Sequence, residues 1–482
     1  ITQVMKTEKR RTFIKKTVLA SAGLAMAPAY IKGFAQVKPS DRINVGVIGI
    51  NDRGGFYGGS GHTASFTKIK ETRVTAICDC VDYLLPKAIQ DIEKLGGEKP
   101  ATYADYRKML EDKDLDIISI ATPDYWHALM AVNACQAGKD VYVEKPISYT
   151  IDEGRKMVQA ARKYNKIVQA GTQRRSFRLN RKAIEVLRGG VIGDIYMGRG
   201  TVYRSRPSIG RKPDGPAPAG VNWDLYRGPA PLIPFNENHF LYNWHWYWDT
   251  STSEFGNNGT HAMDIIRQAM NLTTHPTKIA CAGGFYAYKD ESDQDVPNLE
   301  VATFEYDNGA VLELEVRSLP TPNDPWGYLW LGTKGYAYTS GNNQVLIFQS
   351  NNGPATAGGQ TGTAAFSTGL QQDRSNKPTI TLTNEDVDPD PRWDEILKAG
   401  IDYHFQNFVD CVKSRKSSDL IADIEEGHIS TAMMHLGNIA YRTGRKLVFD
   451  GKAENFGSDT EANSYLSRPG GGRKPYNMPD AV

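Results

Sequence analysis

The chain has 482 residues, of which 40% are hydrophobic and 23% are charged, a balance typical of a globular protein with two domains. Its formal net charge is +2, but residues 1–35 carry seven basic groups and one acidic group, and without them acidic residues exceed basic residues by four. This balance gives no electrostatic support for a nucleic-acid partner, and no apolar run approaches the roughly 20 residues that a membrane span needs.

The N-terminus has the anatomy of an export signal. The stretch KRRTFIKKTVLASAGLAMAPAY has a basic head, a short apolar segment and an Ala-x-Ala step, so we expect a signal peptide over residues 1–35 rather than a membrane anchor. Arg10 and Arg11 resemble the twin-arginine signature of the route that exports folded proteins. The sequence therefore predicts a periplasmic or otherwise exported protein.

Short apolar runs alternate with helical segments over residues 36–171, a pattern that predicts an α/β domain with a parallel sheet covered on both faces. Such a sheet is typical of Rossmann dinucleotide-binding domains, which hold their ligands at the carboxyl ends of the strands. The runs are INVGVIGI, RVTAICD, DIISIATP, DVYVEKP and KIVQAGTQ.

Longer alternating stretches such as IYMGRGTVYRSR and AVLELEVRS follow, and they predict half-buried strands. We expect residues 172–450 to form a C-terminal α+β domain with a large, mostly antiparallel open sheet. The other expectations are a hairpin turn at Asp307–Gly309, a surface loop at 351–376, helices within 394–416 and 426–442, and a C-terminal tail at 451–482.

The segment VGVIGINDRGG, residues 45–55, is a strand that runs into a glycine-rich turn. It departs from the G-x-G-x-x-G pattern at Asn51, where a glycine normally lets the backbone approach the pyrophosphate. Asparagine is the replacement that best tolerates left-handed backbone geometry, and Arg53 could contact a phosphate. The turn alone is as compatible with a structural role. Its candidate cofactor-binding residues are Gly49, Asn51, Asp52, Arg53, Gly54 and Gly55.

Polar residues at the ends of the next strands favour the cofactor interpretation. Asp79 ends the second strand, where a carboxylate accepts hydrogen bonds from the adenosine ribose and repels a 2′-phosphate, so NAD is expected rather than NADP. Lys145 can orient a substrate hydroxyl and stabilise alkoxide charge, although a surface ion pair with Glu144 is the alternative. The other candidate cofactor contacts at these strand ends are Thr122, Pro123, Trp126, His127, Glu144, Lys145, Gln173 and Arg174.

The strand-end EKP and the later GTHAMD resemble the Gfo/Idh/MocA family of glucose-fructose oxidoreductase, inositol dehydrogenase and their relatives. YRSRPSIG, NWDLYRGPAP and NWHWYWD further resemble an exported subgroup of it. The resemblance implies a dinucleotide domain followed by a domain with an open sheet often used for oligomer contacts, hence a homo-oligomer such as a dimer or tetramer. It also implies that Lys145 and His261 carry out or assist proton transfer.

Asn257 stands where the family motif D-x-x-x-H has its aspartate, so the carboxylate partner of His261 has to be found elsewhere. Asparagine can position an imidazole by a hydrogen bond but cannot take its proton. Asp249, Glu254 and Asp264 are the nearby carboxylates. Asp264 follows His261 by three residues and is a candidate catalytic group on the same helix face, or alternatively a first-turn acid that favours the helix dipole.

The segment YNWHWYWD places aromatic faces and polar groups just before this motif, as suits a sugar ring. An aromatic core cluster is the alternative, since successive side chains of an extended segment face opposite ways. No recognised ligand spacing indicates a metal site. The candidate residues for a small-molecule carbohydrate substrate are Tyr203, Arg206, Trp244, His245, Trp246, Trp248, Asp249 and His261.

Export constrains the chemistry, because free NAD is not expected outside the cell and the cofactor must stay bound and be regenerated in each turnover. Two reactions satisfy this constraint. In the first, a sugar or polyol is oxidised and a second carbonyl compound is reduced. In the second, which resembles the NAD-dependent glycosidases of the family, a sugar is transiently oxidised, a leaving group is eliminated, water adds and the ketone is reduced again. A non-enzymatic sugar-binding protein with a structural NAD is the third hypothesis.

Overall fold

Six parallel strands form the first sheet of the computed structural model, which describes residues 41–320, 327–340, 343–349, 377–388 and 390–482. The strand order is β3-β2-β1-β4-β5-β6, which is the order of a Rossmann domain. The strands are β1 (Ile43–Ile48), β2 (Thr72–Cys78), β3 (Ala101–Tyr103), β4 (Ile117–Ile120), β5 (Asp140–Glu144) and β6 (Val168–Gly171).

Both faces of this sheet are covered, because alternate apolar side chains of each strand point to opposite sides. One face packs its Val45 and Val47 side chains among aromatic residues that include Phe66 and Phe405. The other face packs against two helices that follow β4 and β5. The helices around the sheet are α1 (His62–Lys68), α2 (Leu85–Lys94), α3 (Tyr106–Leu110), α4 (Asp124–Gln136) and α5 (Ile151–Lys163).

A second sheet follows, with the order β14-β13-β12-β11-β7-β10-β9-β8-β15. All neighbouring strands in it are antiparallel except the pair β7 and β10. The strands are β7 (Ile195–Tyr203), β8 (Lys278–Gly284), β9 (Leu299–Glu305), β10 (Val311–Arg317), β11 (Gly327–Gly332), β12 (Gly335–Ser340), β13 (Gln344–Gln349), β14 (Ile380–Thr383) and β15 (Leu447–Val448).

Two long helices, Ser253–Ala269 and Ile424–Thr443, pack on the inner face of the second sheet and form its main core. The first of them approaches very closely, because a β-carbon at Gly198 would lie 2.3 Å from the Ile266 side chain. The helices of this half are α6 (Arg178–Arg188), α7 (Trp223–Arg227), α8 (Ser253–Ala269), α9 (Pro391–Lys398), α10 (Tyr403–Ser414), α11 (Ile424–Thr443) and α12 (Thr460–Asn463). The close contact of α8 with the sheet fixes the helix that carries Asn257 and His261.

The structure confirms the predicted fold class: a Rossmann domain and a C-terminal domain with a mostly antiparallel open sheet. The turn at Asp307–Gly309 joins antiparallel β9 and β10, and Gly309 has the φ of +83° that a tight hairpin needs. The helix expected over 394–416 is two helices, because the chain leaves the helical conformation at Gly400 with a φ of +68°. Strand β3 was not predicted, since three partly exposed residues carry no periodic signal.

From Arg42 onward the described residues form one compact unit, so the domain limits at 171 and 450 stay predictions. The predicted signal peptide over 1–35 and the predicted loop over 351–376 lie outside the described residues. Among the helices of the described part, none has both the length and the apolar character needed to cross a membrane.

Candidate active site

A cavity of about 640 Å³ opens at the carboxyl ends of the first sheet and extends towards α8. Most of the predicted cofactor residues line this cavity, but Gly54 and Gly55 do not. The predicted residues on the wall are Gly49, Asn51, Asp52, Arg53, Asp79, Thr122, Pro123, Trp126, His127, Glu144, Lys145, Gln173, Arg174, Arg206, Trp244, His245, Asn257 and His261.

The glycine turn after β1 leaves no room for side chains. Gly49 has a φ of +78°, and a β-carbon there would lie 2.8 Å from the backbone of Ala121 and Thr122. A β-carbon at Gly54 would lie 1.6 Å from the carbonyl oxygen of Gly49, and one at Gly55 would lie 2.4 Å from that of Ile50. The turn is thus packed backbone against backbone, which is the form of a turn that cradles a dinucleotide.

Asn51 does not adopt the left-handed geometry that its residue type suggested. Its φ is −76° and its ψ is 148°, which is an extended conformation open to any residue. The left-handed residue is Asp52, with a φ of +48°. Asparagine therefore replaces the second glycine without backbone strain, and its exposed side chain lies on the cavity wall.

Asp79 lies beside this turn at the end of β2. Its Oδ2 accepts a hydrogen bond from the Ile50 backbone N–H at 3.0 Å, and its Oδ1 accepts one from Val81 at 3.0 Å. Burial raises the pKa of this carboxyl to about 6, against the opposing effect of the backbone donors. At neutral pH the carboxylate is ionised and faces the cavity where a ribose is expected.

Arg53, a candidate for a phosphate contact, lies on the cavity wall and forms an ion pair with Glu144, in which its Nε donates to Glu144 Oε1 at 2.8 Å. Gln173 and His62 also bond to this oxygen, at 2.7 Å and 3.2 Å. Burial raises the pKa of Glu144, but Arg53 and His62 outweigh burial and hold it well below its usual range. Sequence reasoning missed His62, since it lies in the insertion that follows the turn.

The Lys145 side chain contacts α8 rather than forming an ion pair with Glu144. Its Nζ donates to the backbone oxygen and to the side-chain Oδ1 of Asn257, each at 2.8 Å. Burial lowers the pKa of Lys145, and the charges of Glu144 and Glu254 oppose that effect. An ammonium has three hydrogens, so one remains for a ligand.

Glu254, one helical turn before Asn257, is the nearby carboxylate that contacts the motif position, although it bonds to Asn257 and not to His261. Asn257 Nδ2 donates to Glu254 Oε2 at 3.3 Å, and Asn258 donates to Oε1. Arg206 Nη2 donates to both oxygens, at 3.0 Å and 3.2 Å. Because a carboxylate only accepts hydrogen bonds, Glu254 keeps the amide nitrogen of Asn257 on its own side and turns Oδ1 towards Lys145.

His261 lies on the cavity wall one turn after Asn257, but Asn257 does not hold its ring. The Nδ1 atom of His261 is buried and has no hydrogen-bond partner among the described residues. Burial, aided by the charges of Lys145 and Arg174, lowers the pKa of His261 well below its usual range. The imidazole is therefore neutral, and its low pKa makes it a weaker base than a free histidine.

The prediction that Asp264 is catalytic is wrong, because its carboxylate lies in a buried ion-pair cluster away from the cavity. Both of its oxygens accept hydrogen bonds from Arg175 at 2.7 Å, and Ser430 donates to Oδ1 at 2.6 Å. Three residues along a helix turn the side chain about 60° from that of His261, which suffices to point it into the core.

Trp244, His245 and Arg206 lie on the cavity wall at the end expected for a substrate. The rings of Trp244 and His245 are stacked at 3.6 Å, and burial lowers the pKa of His245 to about 3. The Arg206 guanidinium lies against the rings of Tyr242 and Trp246.

Four other predicted substrate residues lie off the wall. Trp246 is in a small aromatic core, and Trp248 packs near Tyr441. Asp249 pairs with the buried Arg227. Tyr203 donates to Glu315 at 3.0 Å on the other face of the second sheet. The expectation that this segment is extended is wrong: Leu241–Trp246 is a 3-10 helix, whose period of about three residues places Trp244 and His245 on the cavity wall and Trp246 in the core.

Trp126 and His127 are mainly structural, although both border the cavity. Trp126 Nε1 donates to the carbonyl oxygen of Tyr226 at 3.2 Å. His127 bonds through its two ring nitrogens to the carbonyl oxygens of Pro146 and Thr122, each at 2.7 Å. These contacts tie α4 to the segment after β5, and so they fix the wall near Lys145.

One group of possible metal ligands is present among the described residues, remote from the cavity wall. Ligand atoms of His275, His428 and Glu454 lie within 4.8 Å of one another. The guanidinium of Arg155 already donates to both oxygens of Glu454, at 2.7 Å and 3.0 Å. This positive charge makes the group an ion-pair network rather than a site for a cation.

Two stretches of the chain match known family profiles. Residues 43–172 match the oxidoreductase family with the NAD-binding Rossmann fold (GFO_IDH_MocA), and residues 391–478 match the C-terminal alpha/beta domain of the same oxidoreductase family. Both stretches, which together make up less than half of the chain, are similar to the Gfo/Idh/MocA family of oxidoreductases. The N-terminal domain of the chain is an NAD-binding domain, and the glycine turn and Asp79 fit that cofactor.

The curated relatives that match this chain have glycosidase names. A glycosyl hydrolase family 109 protein 1 of Shewanella sp. (strain ANA-3) is 28% identical over 279 residues, which are 55% of either chain. An alpha-N-acetylgalactosaminidase of Shewanella oneidensis is 26% identical over 55% of either chain. The chain thus spans about half the length of these curated relatives.

A solved structure with the same fold is the WlbA dehydrogenase of Bordetella pertussis in complex with NADH and UDP-GlcNAcA. It is 18% identical, covers 85% of this chain and 99% of its own, and has a TM-score of 0.57.

Proposed function

We propose that this protein is an NAD-dependent oxidoreductase that acts on a sugar or a sugar derivative. The observation that carries the proposal is the Lys145 ammonium, which Asn257 holds on the wall of the cavity that the cofactor turn and the stacked rings of Trp244 and His245 also line. The neutral imidazole of His261 lies on the same wall. NAD, when bound, takes up the hydrogen and electron pair that leave the oxidised carbon.

Lys145 and His261 have different roles in the proposed reaction. The free hydrogen of Lys145 binds the substrate hydroxyl and stabilises the negative charge that develops on its oxygen. His261, whose imidazole is neutral and lies on the same wall, accepts the hydroxyl proton, and the positive charge of Lys145 makes that proton more acidic. In the return direction the same groups supply the proton and the charge.

We further propose that the cofactor is tightly held and recycled within the site, and that the protein works outside the cytoplasm as a homo-oligomer. The twin-arginine-like stretch around Arg10 and Arg11 supports export. The backbone-packed turn at Gly49 and Gly54 supports tight binding, since it holds the neighbouring Asn51 and Asp52 in fixed positions on the cavity wall.

Redox-neutral glycoside hydrolysis is the second candidate, favoured by the names of the Shewanella relatives. The same pair, Lys145 and His261, would serve there: oxidation at a ring carbon acidifies the neighbouring C–H, and a neutral base is then needed to remove its proton.

Incubation of purified protein and its co-purified NAD with a panel of sugars and glycosides separates the candidates. Turnover that requires an added carbonyl acceptor supports the oxidoreductase, and release of free sugar without an acceptor supports the glycosidase. Absence of both activities across the panel would contradict the enzymatic proposals. The absorbance of bound NADH during each incubation shows independently whether a sugar reduces the cofactor.

A further inference from the structure

A segment outside the first sheet, residues 220–228, lies at the end of the cavity where the adenosine of NAD is expected, and we call it the strap. Leu225 and Tyr226 of the strap line the same cavity as Asp79. Asp79 ends β2 and is the carboxylate expected to bind the adenosine ribose. The strap therefore brings two largely apolar side chains to the cofactor site from a part of the chain that the proposed chemistry does not use.

One end of the strap pairs with the chain just after β2. The backbone N–H of Asn222 donates to the carbonyl oxygen of Cys80 at 2.9 Å, and that of Asp82 donates to the carbonyl oxygen of Gly220 at 2.8 Å, in an antiparallel bridge. Because Cys80 directly follows Asp79, this pairing places the strap next to the expected ribose.

The other end of the strap lies against α4, which follows β4 rather than β2. The carbonyl oxygen of Tyr226 accepts hydrogen bonds from the Tyr125 hydroxyl at 2.6 Å and from Trp126 Nε1 at 3.2 Å. A β-carbon at Gly228 would lie 2.0 Å from the Trp126 ring, so only glycine fits there. Since Trp126 and Asp79 both line the cavity, the strap joins two of its walls.

The C-terminal tail fastens the strap through Arg473 and Tyr476, which we call the latch. Arg473 donates to Asp224 Oδ1 at 2.7 Å, to the Asp224 carbonyl oxygen at 2.8 Å and to that of Gly228 at 3.0 Å. The Tyr476 hydroxyl donates to Asp224 Oδ2 at 2.6 Å, and its ring lies edge-on to that of Trp126. Both oxygens of the Asp224 carboxylate are thus held by the tail.

We propose that Leu225 and Tyr226 form a wall of the adenosine subsite and that the latch keeps the strap closed there, so that NAD leaves only when the strap opens. The inference rests on the proposed retention of NAD and names the residues that set its release rate. The Asp224 side chain is 51% exposed, so the latch can break locally while the core stays folded.

A latch that does not touch the cofactor makes a kinetic prediction. Arg473 and Tyr476 are not on the cavity wall, so they act on NAD only through the strap. Loss of the latch favours the open strap equally in the free and the NAD-bound protein. The rates of NAD release and NAD binding should therefore rise by similar factors, and the equilibrium affinity should change little.

The experiment measures NADH exchange in the full-length protein without any sugar. Release is followed by NADH fluorescence after mixing with a large excess of NAD, and binding is followed by stopped flow after removal of bound cofactor. Arg473→Ala should raise both rates about tenfold and change the dissociation constant by less than about threefold. Tyr476→Phe, which keeps the ring and loses the bond to Asp224, should raise both rates about threefold.

A double variant tests whether Arg473 acts through Asp224. Asp224→Ala should raise both rates at least as much as Arg473→Ala. The variant with both substitutions should stay within about twofold of Asp224→Ala alone, because the two changes remove the same contact. Leu225→Ala should behave differently: it removes a contact with the cofactor itself, so release should speed up while the binding rate stays the same.

Arg445→Ala is the matched control. Arg445 also forms a partly exposed ion pair with an aspartate near the C-terminus, but its partners, Asp459 and Glu461, are not part of the strap. Its substitution should leave both NADH rates unchanged. The melting temperature of each variant shows that it is folded, and Tyr476→Phe with Asp224→Asn carries the test if Arg473→Ala is not.

Release from the latch variants at the slow wild-type rate would overturn the inference and leave the proposed retention of NAD intact. Faster release without faster binding would also overturn it, because the tail would then act on affinity and not on opening. Rapid release from the wild type would overturn the inference and the proposed retention together, while turnover of a sugar would still support the oxidoreductase.

Discussion

The ammonium nitrogen of Lys145 lies 2.8 Å from two oxygen atoms of one residue, the backbone carbonyl and the side-chain amide of Asn257. Two fixed acceptors orient the ammonium and leave one hydrogen for a ligand. Asn257 therefore positions Lys145 rather than His261, and the charge of Glu254 lies behind it.

Removal of the Lys145 ammonium should abolish the charge stabilisation at the reacting oxygen. We expect Lys145→Ala to lower kcat by about 10³-fold, as loss of a preorganised electrostatic donor does. The protein should still contain NAD, because the glycine turn and Asp79 do not depend on this side chain. Turnover and cofactor absorbance of the same preparation check both statements. Lys87→Ala, which removes an exposed partner of Asp91, is the control and should keep full activity.

Glu254→Gln should shift the pH profile rather than unfold the site. The Glu254 charge raises the pKa of Lys145, so its loss should lower that pKa and move the alkaline limb of kcat to lower pH. A glutamine can also donate, so the Asn257 amide loses its fixed orientation, and we expect about a tenfold loss of kcat at neutral pH. Asp249→Asn is the control, because it breaks another arginine pair that does not line the cavity. An unmoved alkaline limb in Glu254→Gln would contradict the charge role.

The glycine turn predicts opposite outcomes at two neighbouring positions. Asn51→Gly should change NAD affinity by less than about threefold, since residue 51 has an ordinary φ of −76° and glycine relieves no strain. Gly54→Ala should abolish NAD binding, since its β-carbon would lie 1.6 Å from the Gly49 oxygen. Calorimetric titration with NAD after removal of bound cofactor checks both. Improvement of affinity by much more than threefold in Asn51→Gly would show that asparagine costs binding energy after all.

Asp264→Asn should damage stability rather than chemistry. It leaves the Arg175 guanidinium buried with one carboxylate fewer, which costs about 3 to 5 kcal/mol of unfolding free energy. Because Asp264 does not touch the cavity, kcat per folded molecule should stay within about threefold. His261→Ala should show the reverse, with lost turnover and a retained melting temperature. Denaturant unfolding and turnover of the two variants decide between the roles.

The hydrogen bonds around Glu454 should stabilise the fold at neutral pH and lose this effect in acid. Burial raises the pKa of Glu454, but hydrogen bonds from His275, His428 and Arg155 outweigh burial and place it well below its usual range. A carboxyl whose pKa is lower in the folded than in the unfolded protein stabilises the fold at every pH above the unfolded pKa. This stabilisation is lost as the pH falls from the unfolded pKa towards the folded one. Glu454→Gln should therefore cost about 2 kcal/mol at pH 7, with the gap to the wild type shrinking below about pH 4. A gap that stays constant with pH would contradict the network.

Local patterns sufficed for the fold and for the cofactor edge of the site. The five apolar runs and their polar ends predicted a parallel sheet with Asp79, Glu144 and Lys145 at one edge, and the structure places them there. The reason is that carboxyl ends of neighbouring parallel strands must meet. The ion pairs of Arg53 with Glu144 and of Asp264 with Arg175 were not predicted, because they join residues that are far apart in the sequence.

The sequence by itself determined the elements, their order and the chemistry-bearing residue types, because periodicity and glycine placement act over short distances along the chain. Only the tertiary structure decided which carboxylate serves Lys145, which of the clustered aromatic residues face the cavity, and that residues 220–228 join two of its walls. Those outcomes depend on a few degrees of helix rotation and on contacts between residues more than a hundred positions apart, such as Lys145 with Asn257, which no local pattern encodes.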